Sequence, residues 1–214
     1  MLNKKNCEPE LPEGYRQAFR VNAKSAGLGI AINLIALAVM LAGTYFSFLI
    51  AKVFNSDYFT FPKYGTNDEL TAFYLKLLVF CMILLVADLL LTVVHELIHG
   101  IAFKILTGAK LKFGLSWSCA FCGVPDVYVY RKASIKASYA PMLYLSLLLL
   151  ILTVCLYFVD PLYYLGAAFL FWMHLGACAG DAYVILILNT KFKSNKTLVR
   201  DTGPEQFFYV PEKR

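Results

Sequence analysis

Four stretches of this chain are each long and apolar enough to cross a bilayer, and no other feature constrains the fold as strongly. They cover about 26–53, 73–106, 135–159 and 162–188. A spanning helix needs about 20 mostly apolar residues. Hydrocarbon offers exposed main-chain groups no partner, so only structures that pair them internally survive there. Hydrophobic residues fill 59% of the 214 positions and charged ones 16%, too apolar a balance for one soluble domain of this length. The expected fold class is all-α, a polytopic membrane protein with four transmembrane helices over 26–189. The first stretch is too long for a signal-peptide core and follows acidic Glu8, Glu10 and Glu13, which reads as a retained helix.

Charge alternates from loop to loop. The arm 1–25 carries Lys4, Lys5, Arg16, Arg20 and Lys24, whereas the first loop sets Lys52 and Lys63 against Asp57, Asp68 and Glu69. The middle loop is basic again through Lys104, Lys110, Lys112, Arg131, Lys132 and Lys136. The turn at Asp160-Pro161 has no basic residue, and the tail 190–214 is basic. Short loops rich in Lys and Arg stay cytoplasmic, so both termini are expected in the cytoplasm and the multi-pass chain in the cell membrane. The net charge of +6 is then a topology signal and a contact for anionic lipid headgroups. It gives no support for nucleic acid as a partner.

Between the second and third helices, Leu111, Phe113, Leu115 and Trp117 alternate with polar or small residues, which is the period of a strand. A turn cluster of Gly123, Pro125 and Asp126 precedes Val127-Tyr-Val-Tyr130. Together they predict a small interfacial β-hairpin over about 110–130. It can be a connector anchored by its aromatic rings, or an edge strand that pairs with an extended peptide. The arm, with Pro9, Pro12 and Gly14, predicts a flexible or interfacial lead-in, and the loop 55–69, with Pro62 and Gly65, a short structured cap. The tail predicts a short extension partly packed back onto the helices. Cys119-Ala-Phe-Cys122 is a lone C-x-x-C, without the second pair of a zinc knuckle or the β-α-β pattern of a redox motif. Cys81, Cys155 and Cys178 lie inside apolar helices, where a thiol is ordinarily a packing residue.

The stretch Val93-Val94-His95-Glu96-Leu97-Ile98-His99-Gly100-Ile101 breaks the apolar pattern. Ionisable groups at membrane depth are costly and mark function by default. Residues four apart share a helix face, so His95 and His99 can each offer a ring nitrogen to one Zn²⁺. Glu96 falls on the neighbouring face, where its carboxylate reaches water at the metal instead of the metal itself. A catalytic zinc takes three protein ligands and leaves one position open, so a third is required: His174, a carboxylate or a thiolate. Asp181 precedes Asn189 by eight residues and His95 precedes Ile105 by ten. At about 1.5 Å per residue these stand at similar depth, which makes Asp181 the expected third ligand. Asp88 lies two turns before His95, roughly 10 Å away. It falls at the depth of His174, with which it could pair; alternatively His174 lines a water path or binds the metal.

The combination of His95-Glu-Leu-Ile-His99, the strand-rich basic loop, Tyr139-Ala-Pro141 and Gly180-Asp181 resembles a bacterial membrane family known as "putative zincin peptidase". The resemblance covers about 69–201. More distantly, the last three helices are similar to the core of site-2 protease intramembrane metalloproteases, although the aspartate here sits in Ala179-Gly-Asp-Ala182 and not in an Asn-Pro-Asp-Gly-like segment. The resemblance implies His95, His99 and Asp181 as zinc ligands and Glu96 as the residue that activates water. The expected function is a zinc-dependent intramembrane peptidase acting on a protein or peptide substrate near the cytoplasmic face. A non-catalytic membrane protein with a structural or sensory metal site is the alternative.

Overall fold

The computed structural model describes residues 2–23, 25–59, 66–116 and 120–212. Lys24, residues 60–65 of the expected cap with Lys63 among them, the end of the predicted strand at Trp117 and Cys119 of the C-x-x-C lie outside them. In chain order come β1 (Cys7–Glu8), β2 (Tyr15–Asn22), α1 (Ala26–Phe54), α2 (Asn67–Thr107), β3 (Lys112–Leu115), β4 (Ala120–Gly123) and β5 (Tyr128–Tyr130). Then follow α3 (Arg131–Tyr157), α4 (Pro161–Ala177), α5 (Ala179–Thr190), β6 (Leu198–Asp201) and β7 (Glu205–Pro211).

Four helical segments are long and apolar enough to span a membrane, α4 and α5 together forming the fourth. The most apolar part of α2 buries none of its residues inside the protein. A row of leucines such as Leu85, Leu89 and Leu90 faces outward from it. In water so large an apolar face would drive aggregation; in lipid it is the required surface, and the chain reads as a multi-pass membrane protein. The 41 residues of α2 make a rod of about 60 Å, twice the roughly 30 Å hydrocarbon thickness. Its ends are set locally. The Thr66 hydroxyl accepts from the Glu69 N–H while the Glu69 carboxylate accepts from the Thr66 N–H, a reciprocal cap. At the far end Gly108, at φ 71°, returns its N–H to the Lys104 carbonyl, a turn that only glycine makes without strain.

The fourth span is not one rod. Its first half, α4, is capped by Asp160, whose carboxylate accepts from the N–H groups of Leu162 and Tyr163. It packs against α1, α2 and α3, and small residues permit the close approach. A Cβ on Gly176 would stand 2.6 Å from the Ala36 carbonyl oxygen, and one on Gly43 would enter the Trp172 ring. Polar groups add to the α1–α4 contact: Tyr164 Oη donates to the Ser47 carbonyl and Trp172 Nε1 to Ser47 Oγ. The helix breaks at Cys178, and α5 restarts with Asp181 in its first turn. Arg131 at the start of α3 then donates to the Leu188 carbonyl at the end of α5, tying α5 to α3.

The fold is mostly helical but not all-α. A five-stranded antiparallel sheet runs in the order β1-β5-β6-β7-β2. Both edge strands come from the arm that the sequence reads as a lead-in, and β6 and β7 come from the tail. Phe208, Val199 and Val21 pack the sheet onto Val184, Ile187 and Leu188 of α5, with the Phe192 and Phe208 rings stacked at 5.4 Å. The expected hairpin also has a different partner. β3 pairs with β4, from Lys112↔Gly123 to Leu115↔Ala120, whereas β5 pairs with β1 and β6. The Gly123-Pro125-Asp126 cluster therefore hands the chain from one sheet to the other and does not close a hairpin. Its Val127 N–H donates to the Val124 carbonyl.

Candidate metal centre

Three ionisable side chains converge where the C-terminal part of α2 meets the first turn of α5. His95 and His99 are 8% and 7% exposed. Their Nε2 atoms lie 3.1 Å apart, and each lies 3.2 Å from a carboxylate oxygen of Asp181. Ligands about 2.0–2.1 Å from a tetrahedral zinc are separated by about 3.3 Å, so the observed triangle has the dimensions of one face of such a site. Hydrogen bonding alone accounts for it poorly, because two ring nitrogens and one carboxylate crowd a single point that offers few protons. The donor set, two imidazoles and a carboxylate, suits zinc.

The state of His99 follows from a proline. Pro141 sits inside α3 and lacks the N–H that would close the helical bond to the Ala137 carbonyl. That carbonyl is 2.9 Å from His99 Nδ1. A carbonyl can only accept, so Nδ1 carries a proton, and in the neutral ring the lone pair is then on Nε2, the nitrogen that faces His95 and Asp181. Outer contacts of this kind fix the tautomer and orientation of metal-ligating histidines. The Nδ1 of His95, in contrast, is buried without a hydrogen-bond partner among the described residues.

His174 does not pair with Asp88. Its Nε2 lies 3.3 Å from the Pro141 carbonyl, to which it donates, and 3.7 Å from Cys178 Sγ. The pairing expected from equal spacing fails because the His174 ring lies beside the His95 ring, with centroids 5.3 Å apart, and turns to the Pro141 carbonyl. His95, His174 and Cys178 also bring donor atoms within 4.8 Å of one another, a second group of possible ligands that shares His95 with the first.

Glu96 faces a cavity of about 290 Å³ that extends from Asp88 past both histidines to Asp201 and Gln206. β4 forms one wall, and the Cys122 main chain stands within reach of the Glu96 carboxylate. The hairpin is seated closely on α2, where a Cβ on Gly100 would meet the Phe113 ring at 2.7 Å. On its far side β4 abuts the β6–β7 turn: Val124 N–H donates to the Asp201 carbonyl, and a Cβ on Gly123 would lie 2.5 Å from Gly203 N. Cys122 lines this wall, and burial pushes its thiol up to about 12, which favours the protonated form.

The sequence places Asp201 only in a turn of the tail and does not mark it as a site residue. It is 5% exposed, and its carboxylate accepts from the Gly203 N–H at 2.8 Å and from Gln206 Nε2 at 3.0 Å. Burial raises it to about 7 against the pull of the Gly203 bond. The signal was the turn Asp201-Thr-Gly-Pro204, legible as a turn but silent about the depth at which it is buried. A family model described as "Putative zincin peptidase" matches residues 88–196. No curated protein and no solved structure matches the chain.

Proposed function

The chain belongs to this zincin peptidase family, whose model covers just over half its length, and on that premise we propose that it hydrolyses a peptide bond within or beside the membrane, near the cytoplasmic face. The observation that carries the proposal is the approach of His95, His99 and Asp181 to 3.1–3.2 Å at the floor of a cavity that also holds Glu96. In this reading the three hold zinc and Glu96 stays free for proton transfer. When bound, zinc supplies Lewis acidity, acidifying water and polarising a carbonyl.

The chain's own residues supply the rest. Glu96 takes a proton from the attacking water as its oxygen bonds to the carbonyl carbon. As the carbon–nitrogen bond breaks, Glu96 returns that proton to the leaving amine. The proton on His99 Nδ1, held by the Ala137 carbonyl, keeps Nε2 available throughout. β4 is the surface along which an extended substrate would lie, which matters because a helical carbonyl is shielded from attack. Basic residues of the arm, middle loop and tail contact anionic headgroups, with both termini in the cytoplasm and the protein in the cell membrane. A protein or peptide with a membrane-embedded or membrane-proximal segment is the substrate class.

Glu96→Gln tests the reading. Purified in detergent, the variant should keep the zinc content of the wild type and lose cleavage of an apolar reporter peptide. A metal site with a purely structural role would leave that substitution nearly silent, whereas His95→Ala would lower thermal stability.

A further inference from the structure

Asp88 is the one carboxylate on the cavity's membrane side that the proposed chemistry does not use. Asp88, Thr92, His95 and His99 fall at spacings of four, three and four residues, so they form one polar stripe along α2. Thr92 Oγ1 donates to the main-chain carbonyl of Asp88. Among the described residues no hydrogen bond or ion pair engages the Asp88 carboxylate. A charge at that depth is costly when left alone, and the carboxylate opens onto the same cavity as the candidate metal centre.

The opposite wall of the cavity is α1, through Ile32, Asn33 and Ala36. α1 leans on α4 and α5 and makes little contact with α2, so the Asp88 end of the cavity is a cleft between two helices that do not pack together. A largely apolar cleft carrying one carboxylate is complementary to an apolar segment carrying one cation, whose charge would hold that carboxylate ionised. We propose that Asp88 is a specificity residue that selects substrates with a Lys or Arg in their membrane segment. Seven residues separate it from His95 and eleven from His99, a distance of roughly 10–16 Å along the helix. An extended chain covers that in about three to five residues. The selected cation therefore lies about three to five residues from the scissile bond, on the side toward the hydrocarbon. This inference rests on the peptidase reading only for that register; the selection itself is a binding property.

The test uses the full chain in lipid nanodiscs, with Glu96→Gln to prevent turnover, and apolar 22-residue peptides carrying a single Lys or norleucine at scanned positions. Asp88 should make the best-placed Lys peptide bind at least roughly tenfold more tightly than its norleucine twin. That preference should vanish in Asp88→Asn and turn toward a Glu peptide in Asp88→Lys, a reversal that a merely loosened fold cannot produce. No Lys preference, no peptide binding, or a preference that survives Asp88→Asn would overturn the proposal. Glu96-dependent cleavage without any Lys preference would sink the role of Asp88 alone. A Lys preference without Glu96-dependent cleavage would sink the peptidase reading and leave the site standing.

Discussion

Pro141 shows how a single missing main-chain hydrogen can shape a site one helix away. The Ala137 carbonyl it leaves free is the acceptor for His99 Nδ1 at 2.9 Å. Pro141→Ala would supply the absent N–H and let α3 reclaim that carbonyl. The helix should gain from the exchange, since proline is the poorest helix former, while His99 loses what fixes its tautomer. Loss of such an outer contact typically weakens metal affinity by roughly 10–100-fold. Zinc affinity measured against a competing chelator should fall by about that factor in Pro141→Ala even though thermal stability of the metal-free protein does not. Equal affinity in the two proteins would show that the bond has no bearing on the metal.

At the scale of elements, the site depends on β4 being held between α2 and the β6–β7 turn. A Cβ on Gly123 would meet main-chain atoms, Gly203 N at 2.5 Å and Thr202 C at 2.9 Å, and backbone cannot rotate aside as a side chain can. Gly123→Ala should therefore cost about 1–3 kcal/mol, the usual range for overpacking, seen as a lower melting temperature in detergent. Gly27→Ala is the control: nothing lies within 4 Å of its Cβ position, so the helical gain of up to about 1 kcal/mol should prevail. These contacts also show where sequence reading stops. The spans are legible because each needs only a local run of apolar residues. The five-stranded sheet is not: β1 has two residues, and the alternation of β2 is interrupted by a bulge between Gln17 and Phe19. Its partner β7 lies about 190 positions away. Spacing alone puts His95 and His99 on one face, and counting turns brings Asp181 to their height. The break at Cys178, the freed Ala137 carbonyl and the burial of Asp201 arise from packing between distant segments, which no local pattern records.

Across the whole molecule, α2 and α5 both belong to spanning segments while α5 also carries the sheet, and the candidate centre joins the two helices. A metal held by His95, His99 and Asp181 should therefore stabilise the fold by mass action, by about 4 kcal/mol when present at 1,000 times its dissociation constant. Stripping with a chelator should lower the melting temperature, and Asp181→Ala should remove the response. The sheet adds a dependence on pH through Asp201. Burial lifts its carboxyl from an ordinary 3.8 to about 7, so between these values the folded protein keeps a proton that the unfolded chain releases. Because the folded state binds more protons there, stability falls as pH rises from about 4 to about 7 and levels off above. In Asp201→Asn the amide oxygen can still accept from Gly203. Its NH₂ can meet Gln206 Oε1, which is buried without a partner among the described residues, once the Gln206 amide turns over. Melting curves recorded from about pH 4 to pH 8 should slope downward for the wild type and less steeply for the variant, which should be the more stable protein at the alkaline end. Parallel curves would mean that Asp201 holds its proton no more tightly in the fold than in the open chain.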